Sequence, residues 1–134
     1  MTALTSSRPT QQKGKELASF PVAANVKIFA GALVALNAAG YLVPGSVSTT
    51  LRYQGKAEDF VDNTGGVDGA KKALVRRNLA FKFANYQTDP VAQADVGNTV
   101  YIVDDQTVAK TNGTNTRSAA GKLLGVEPNG VWIE

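Results

Sequence analysis

The stretch Val100-Tyr101-Ile102-Val103-Asp104-Asp105-Gln106-Thr107-Val108-Ala109-Lys110 constrains the fold more than any other. Four consecutive strand formers run into a polar turn, and the chain returns at once through Val108. β-Branched and aromatic side chains suit a pleated, half-buried surface. Aspartates bond to their own backbone two residues on, which is turn chemistry. The pattern predicts a central hairpin with Asp104 and Asp105 at its tip. A metal site at that acidic pair is disfavoured, because adjacent carboxylates diverge and a hard cation needs about six oxygen ligands.

Similar punctuation recurs along the chain. Asn37 to Gly40 reads as a turn between the apolar runs Val26–Leu36 and Tyr41–Pro44, which predicts a hairpin over a helix despite the Ala and Leu content. Val47 to Phe60 reads as one strand with a glycine bulge at Gly55, and Asp62 to Gly66 as a loop. Lys72 to Val75 and Leu79 to Phe83 follow as strands, the second placing Leu79, Phe81 and Phe83 on one face. Thr88-Asp89-Pro90 predicts a short helical turn over 91–96, capped by Thr88 or Asp89 and ended at Gly97. Residues 111–118 form a polar surface loop. Asn129-Gly130 is a strong hairpin signal between Lys122–Glu127 and Val131–Glu134, with Leu124 and Trp132 expected in the core. Short strands at regular spacing predict a small all-β barrel or sandwich.

Composition removes whole classes of chemistry. With 134 residues the chain is long enough for one self-sufficient domain. It contains no Cys and no His, so disulfides, thiol nucleophiles, imidazole bases and most zinc sites are excluded. No metal or cofactor is expected. The longest apolar run, Ile28 to Ala39, is far short of the ~20 residues that span a bilayer as a helix. Residues 1–19 lack the apolar core of a signal peptide, so a soluble protein without a membrane partner is expected.

The net charge of +3 belongs to one segment. In residues 1–27, Arg8, Lys13, Lys15 and Lys27 outnumber Glu16 by three, and the ten basic and ten acidic residues beyond cancel. Residues 1–19 have no hydrophobic period and, read alone, are a disordered tail; the sharper expectation is an extended N-terminal arm that orders along another subunit, the alternative being packing on its own body. Arg8, Pro9, Lys13, Lys15 and Phe20 are its candidate contact residues. The cluster Lys71, Lys72, Arg76, Arg77 and Lys82 reads as a solvated strand edge, kept from aggregating by its charges. The aromatics Phe81, Phe83, Tyr53 and Tyr86 read as core rather than as a base-stacking platform. The loop Gly65-Gly66-Val67-Asp68-Gly69-Ala70-Lys71-Lys72 lacks the spacing of a phosphate loop.

Two stretches carry a family likeness. Phe81-Lys82-Phe83-Ala84-Asn85 followed by Ala94-Asp95-Val96-Gly97-Asn98-Thr99 and the central hairpin, with the close Ala120-Gly121-Lys122-Leu123-Leu124-Gly125-Val126 through Gly130-Val131-Trp132-Ile133-Glu134, resembles the capsid decoration (cement) proteins of tailed bacteriophages and prophages. The resemblance covers residues 20–134 in order and spacing, while the arm and the 62–78 loop carry little of it. It implies an all-β barrel or sandwich, tulip-like or jelly-roll-like, as a single domain over 20–134. It further implies a non-enzymatic virion protein, made in the bacterial cytoplasm, that binds the outside of the mature head. Its partners would be the major capsid protein and copies of itself, a trimer favoured over a dimer, with no direct nucleic acid. A neutral body packs against copies of itself without repulsion, and a cationic arm adds contacts on an acidic shell.

Two other readings stand beside it. A single-stranded nucleic-acid-binding barrel would need the basic residues of 71–82 and the aromatics on one exposed face. A carboxylate-dependent enzyme would have to use Glu58, Asp59 and Asp62, which a solvated strand explains more simply.

Overall fold

A computed structural model describes residues 2–134. The chain is nearly all-β, with one 3-10 turn as its only helical element among the described residues. Its strands are β1 (Leu17–Pro21), β2 (Lys27–Ile28), β3 (Leu33–Leu36), β4 (Leu42–Pro44), β5 (Arg52–Ala57), β6 (Val61–Asp62), β7 (Lys72–Arg76), β8 (Phe81–Asn85), β9 (Thr99–Ile102), β10 (Thr107–Ala109), β11 (Ala119–Glu127) and β12 (Gly130–Ile133). They form a five-stranded sheet in the order β1-β7-β5-β3-β4, a closed barrel β10-β8-β12-β11-β9, and the small ribbon β2-β6. The open sheet itself curls nearly shut, because Val22, just past β1, bridges to Leu42 on the far-edge strand β4.

Strand β3 is the wall between two cores. Its four apolar residues alternate: Leu33 and Ala35 face the barrel core with Phe83, Val100, Ile102, Val108, Leu123 and Ile133. Val34 faces the second core with Val22, Ile28, Leu42 and Val75. Period-two alternation sends successive side chains to opposite faces, and a strand buried on both faces must be apolar throughout. The β9–β10 hairpin docks on this wall. The Leu33 amide donates to the Asp105 carbonyl at 2.7 Å, and the Gly45 amide to the Leu33 carbonyl at 2.9 Å. Gly45 must lack a side chain there, since a Cβ would lie 2.7 Å from the Asp104 carbonyl oxygen and 2.9 Å from Ile102 Cγ2.

The central hairpin forms as expected, β9 pairing antiparallel with β10. At its tip the Gln106 amide donates to Asp104 Oδ1 at 2.9 Å, the expected aspartate turn. The β3–β4 hairpin and its Asn37–Gly40 turn are likewise in place, with Asn37 Oδ1 accepting from the Ala39 and Tyr41 amides. Gly55 sits at a bulge: β3 pairs Val34 with Gly55 but Ala35 with Tyr53, leaving Gln54 as the extra residue.

Several expectations are corrected. The apolar run Val26–Leu36 is broken by a turn at Ala30-Gly31, where Gly31 takes φ 86°, so β2 and β3 are separate. The strand expected over Val47–Phe60 begins only at Arg52, because the loop before it is tied to the barrel. Buried Ser118 Oγ accepts from the Leu51 amide and donates to the Ser48 carbonyl. Neither Thr88 nor Asp89 caps a helix: the 3-10 turn is Gln93–Asp95 and follows Ala92. Val91 is instead drawn into the barrel core by reciprocal bonds between its backbone and the Asn85 side chain. Leu79 falls outside β8 and is 52% exposed, as is Leu124 at 51%. Leu124 is the extra residue in a β11–β12 bulge, with Leu123 opposite Ile133 and Gly125 opposite Trp132, which turns it out of the core. Trp132 is only half-buried and donates to Glu127 Oε1 on the outer face.

The closing hairpin exists, but by a different turn. Pro128 and Asn129 connect the strands and neither takes a positive φ, so this is not the mirror-image turn that Asn-Gly favours. Gly130 serves close packing instead, since a Cβ would lie 2.9 Å from the Phe83 carbonyl oxygen. One barrel pairing, β8 with β10, is parallel. Parallel neighbours need a long crossover, here residues 86–106 including β9.

Candidate functional site

The arm contains no strand before Leu17, and residues 2–16 are exposed throughout. Arg8, Pro9, Lys13 and Lys15 therefore stand along one solvent-facing cationic extension. Phe20 is set apart from them. It lies within β1 opposite Ala73, packs on the second core, and lies 5.6 Å below the Arg77 guanidinium carbon. The arm is anchored at its root, where the Arg77 amide donates to the Glu16 carbonyl at 2.6 Å and Asn78 Nδ2 reaches the Lys15 carbonyl.

The basic cluster of 71–82 does not form a strand edge. Strand β7 lies between β1 and β5, and β1 is the edge. Ala73 and Val75 face inward, which leaves the alternate positions Lys72 and Arg76 outside. The charges then disperse. Lys71 and Lys72 line a shallow cleft with Phe60 and Asp62. Arg76 Nε lies 3.5 Å from Glu58 Oε1. Lys82 crosses the barrel surface to Glu127 at 2.7 Å and Asn129 at 2.6 Å.

The aromatics of the sequence reading do not gather on one exposed face. Phe83 is in the barrel core, with Tyr53 and Phe81 packed against it. Tyr86 lies half-buried, 5.3 Å from the Arg117 guanidinium carbon. The exposed aromatic pair is another one, Phe29 with Phe60, ring centres 5.5 Å apart and both more than half exposed. The sequence places Phe29 within the apolar run Val26–Leu36 and Phe60 at the end of the strand Val47–Phe60, whereas β5 ends at Ala57 and Phe29 lies just past β2. For Phe29 the signal was the turn at Ala30-Gly31 directly after it, where Gly31 takes φ 86°.

Nor do the acidic residues converge. Glu58 lies 3.3 Å from Lys56 Nζ as well as near Arg76, and these partners hold its carboxyl below the ordinary range. Asp62 is held low chiefly by the Thr64 hydroxyl and amide. Among the described residues no three His, Cys, Asp or Glu side chains gather in a metal-binding arrangement. No helix among them is long and apolar enough to cross a membrane.

The loop at 111–118 is more ordered than its composition suggests. Asp89 Oδ2 accepts from the Thr111 amide and hydroxyl and from Arg117 at 2.9 Å, while Arg117 also donates to the Thr111 carbonyl. The Thr111 hydroxyl is the largest influence holding the Asp89 carboxyl low, with Arg117 adding to it.

Searches among known proteins find no family model, no curated protein and no solved structure that matches the chain.

Proposed function

We propose that this chain is a structural virion protein that binds the outer surface of a mature tailed-phage head and cements the major capsid protein lattice against internal DNA pressure. The observation that carries the proposal is the pairing of a twin-core β body with an exposed cationic arm over residues 2–16. Glu58, Asp89, Asp104 and Glu127 are engaged in ion pairs or a turn, which suits a scaffold better than a catalyst. The arm can engage an acidic shell or a neighbouring copy, and many linked weak contacts act together on a symmetric lattice. Self-association, a trimer first and a dimer second, belongs to the same proposal, as does a place on the virion's outer surface. The resemblance of residues 81–85, 94–109 and 120–134 to decoration proteins supports it.

One observation favours a second reading, a single-stranded nucleic-acid binder. Phe60 shares its cleft with Lys71 and Lys72, and stacked rings beside cations can hold unpaired bases. Asp62 in the same cleft opposes it. The experiment is co-sedimentation of the purified protein with expanded, undecorated heads, and in parallel with single-stranded DNA, at low and high salt. Saturable binding to heads alone is expected, weakening in high salt as screening shortens the reach of the arm's charges. Binding to DNA alone would replace the first reading by the second.

A further inference from the structure

The ribbon β2–β6 carries a patch that the cementing role leaves unused. Lys27 pairs with Asp62 and Ile28 with Val61 across it, so the next residues, Phe29 and Phe60, stand opposite each other. Ile28 lies in the second core, and period-two alternation therefore turns Lys27 and Phe29 outward together. The two rings are 5.5 Å apart, and each keeps more than half of its surface in water. Paired rings exposed in this way are apolar area that a second surface can bury.

Charges of opposite sign lie at the two ends of the patch. Phe60 shares a shallow cleft of about 410 Å³ with Lys71 and Lys72. The Asp62 carboxyl in that cleft feels both Lys27 and Lys71, which places the lysines at one end. Asp62 itself accepts from the Thr64 hydroxyl and amide. Phe29 shares the opposite cleft, about 360 Å³, with Gly31 and Asp105. Among the described residues no ion pair within 4.0 Å engages Lys27, Lys71, Lys72 or Asp105. Cations, rings and a carboxylate thus follow one another along one line. An acidic or a basic partner would match one end and be repelled at the other. A second copy of the chain, turned about a two-fold axis through the rings, matches at both.

We infer that the Phe29–Phe60 patch is a two-fold contact between copies of this chain, with the rings of one copy stacked on those of the other and Lys71 and Lys72 of each facing Asp105 of the other. Such a contact uses the same surface twice. The rings form its dry centre and the charges its rim, the distribution common to protein interfaces. The rim charges fix the register and guide encounter, so added salt weakens the contact. The inference rests on the self-association in the proposed function and needs no phage head.

The test is sedimentation equilibrium of the intact protein from about 1 μM to about 1 mM. A monomer–dimer equilibrium is expected, weaker in high salt. Phe60→Ser is expected to raise the dissociation constant at least about tenfold, as for aromatic anchors at interface centres. Asp105→Lys, and separately Lys71→Asp with Lys72→Asp, should each weaken it by at least about tenfold, because like charges then face each other. Mixed in equal amounts, these two charge variants should pair with each other about as tightly as the parent does with itself, since both rims then join opposite charges. All variants should melt within about 3 °C of the parent, because they alter surface side chains. A protein that stays monomeric throughout, a dimer or trimer that Phe60→Ser leaves as tight as before, or charge variants that do not prefer each other would overturn the inference. So would a monomer that binds single-stranded DNA and loses it on Phe60→Ser, which would give the patch to nucleic acid. Head binding is measured separately, so the cementing role and this contact can fail independently.

Discussion

At Gly55 a single hydrogen decides whether two sheet neighbours can approach. Its φ of 141° is one that L side chains rarely adopt, and a Cβ there would overlap the Arg76 carbonyl. Gly55→Ala is therefore expected to cost about 2–4 kcal/mol, measured by urea unfolding. Asp89 acts at the same scale but through its charge. Its folded pKa is depressed, first by the Thr111 hydroxyl and then by the Thr111 amide and Arg117. A depressed carboxylate stabilises the fold above its unfolded pKa, near 3.8, and that contribution is lost as pH falls through the folded value. Glu58, Asp62 and Glu127 are shifted in the same direction by Lys56, Thr64 and Lys82 respectively. Calorimetry is expected to show a melting temperature that is level above about pH 5 and drops below about pH 4. Asp89→Asn should be less stable at neutral pH and show a shallower acid limb, and an unchanged limb would contradict the assignment. These dependences were only partly legible in the sequence. Asp104 announced its turn because that bond is local, whereas the partners of Asp89 are 22 and 28 residues away.

Among the elements, β11 offers the sharpest contrast. Leu123 and Leu124 are adjacent and chemically identical, yet the first is 1% exposed and the second 51%. Leu123→Ala is expected to cost about 2–5 kcal/mol. Leu124→Ala should cost no more than about 0.5 kcal/mol, as for surface positions generally. Similar costs in chemical denaturation would contradict the bulge. Strand periodicity alone could not assign the two, because an extra residue resets which face each side chain takes. The hairpins were readable where turn chemistry and β-branched flanks coincide, as at Asp104-Asp105. They were misjudged where an apolar run concealed a glycine turn, as at Gly31. For the arm, polarity showed where it is exposed but not where it ends: Leu17, Ala18 and Ser19 already pair with β7. Deleting residues 2–14 is thus expected to leave the melting temperature within about 1 °C, since surface changes alter stability little. A deletion through Ser19 would remove most of an edge strand.

The whole molecule is two cores with β3 buried between them and β5 touching both, and its stability should be shared accordingly. Leu33 and Val34 are neighbours that face different cores, and the β9–β10 turn is bonded to the same wall. Unfolding is expected to be one cooperative transition, lowered as a unit by either Leu33→Ala or Val34→Ala. Leu33→Ala should cost about 2–5 kcal/mol. Two separate calorimetric transitions would show that β3 does not couple the cores. An all-β architecture was legible from strand spacing, but its division into a closed barrel and a nearly closed sheet was not. That division depends on the parallel β8–β10 pairing and the Val22–Leu42 bridge, contacts between segments remote in sequence. Residues 2–16 stand outside both cores and are exposed throughout, and the proposed function assigns them the contact with the capsid. The most direct measurement is co-sedimentation of intact protein and of protein lacking residues 2–14 with expanded, undecorated phage heads. Saturable, salt-sensitive binding by the intact protein and its loss in the shortened, still-folded one is the expected result. Equal binding by both would contradict the role of the arm, and no binding by either would contradict the cementing function itself.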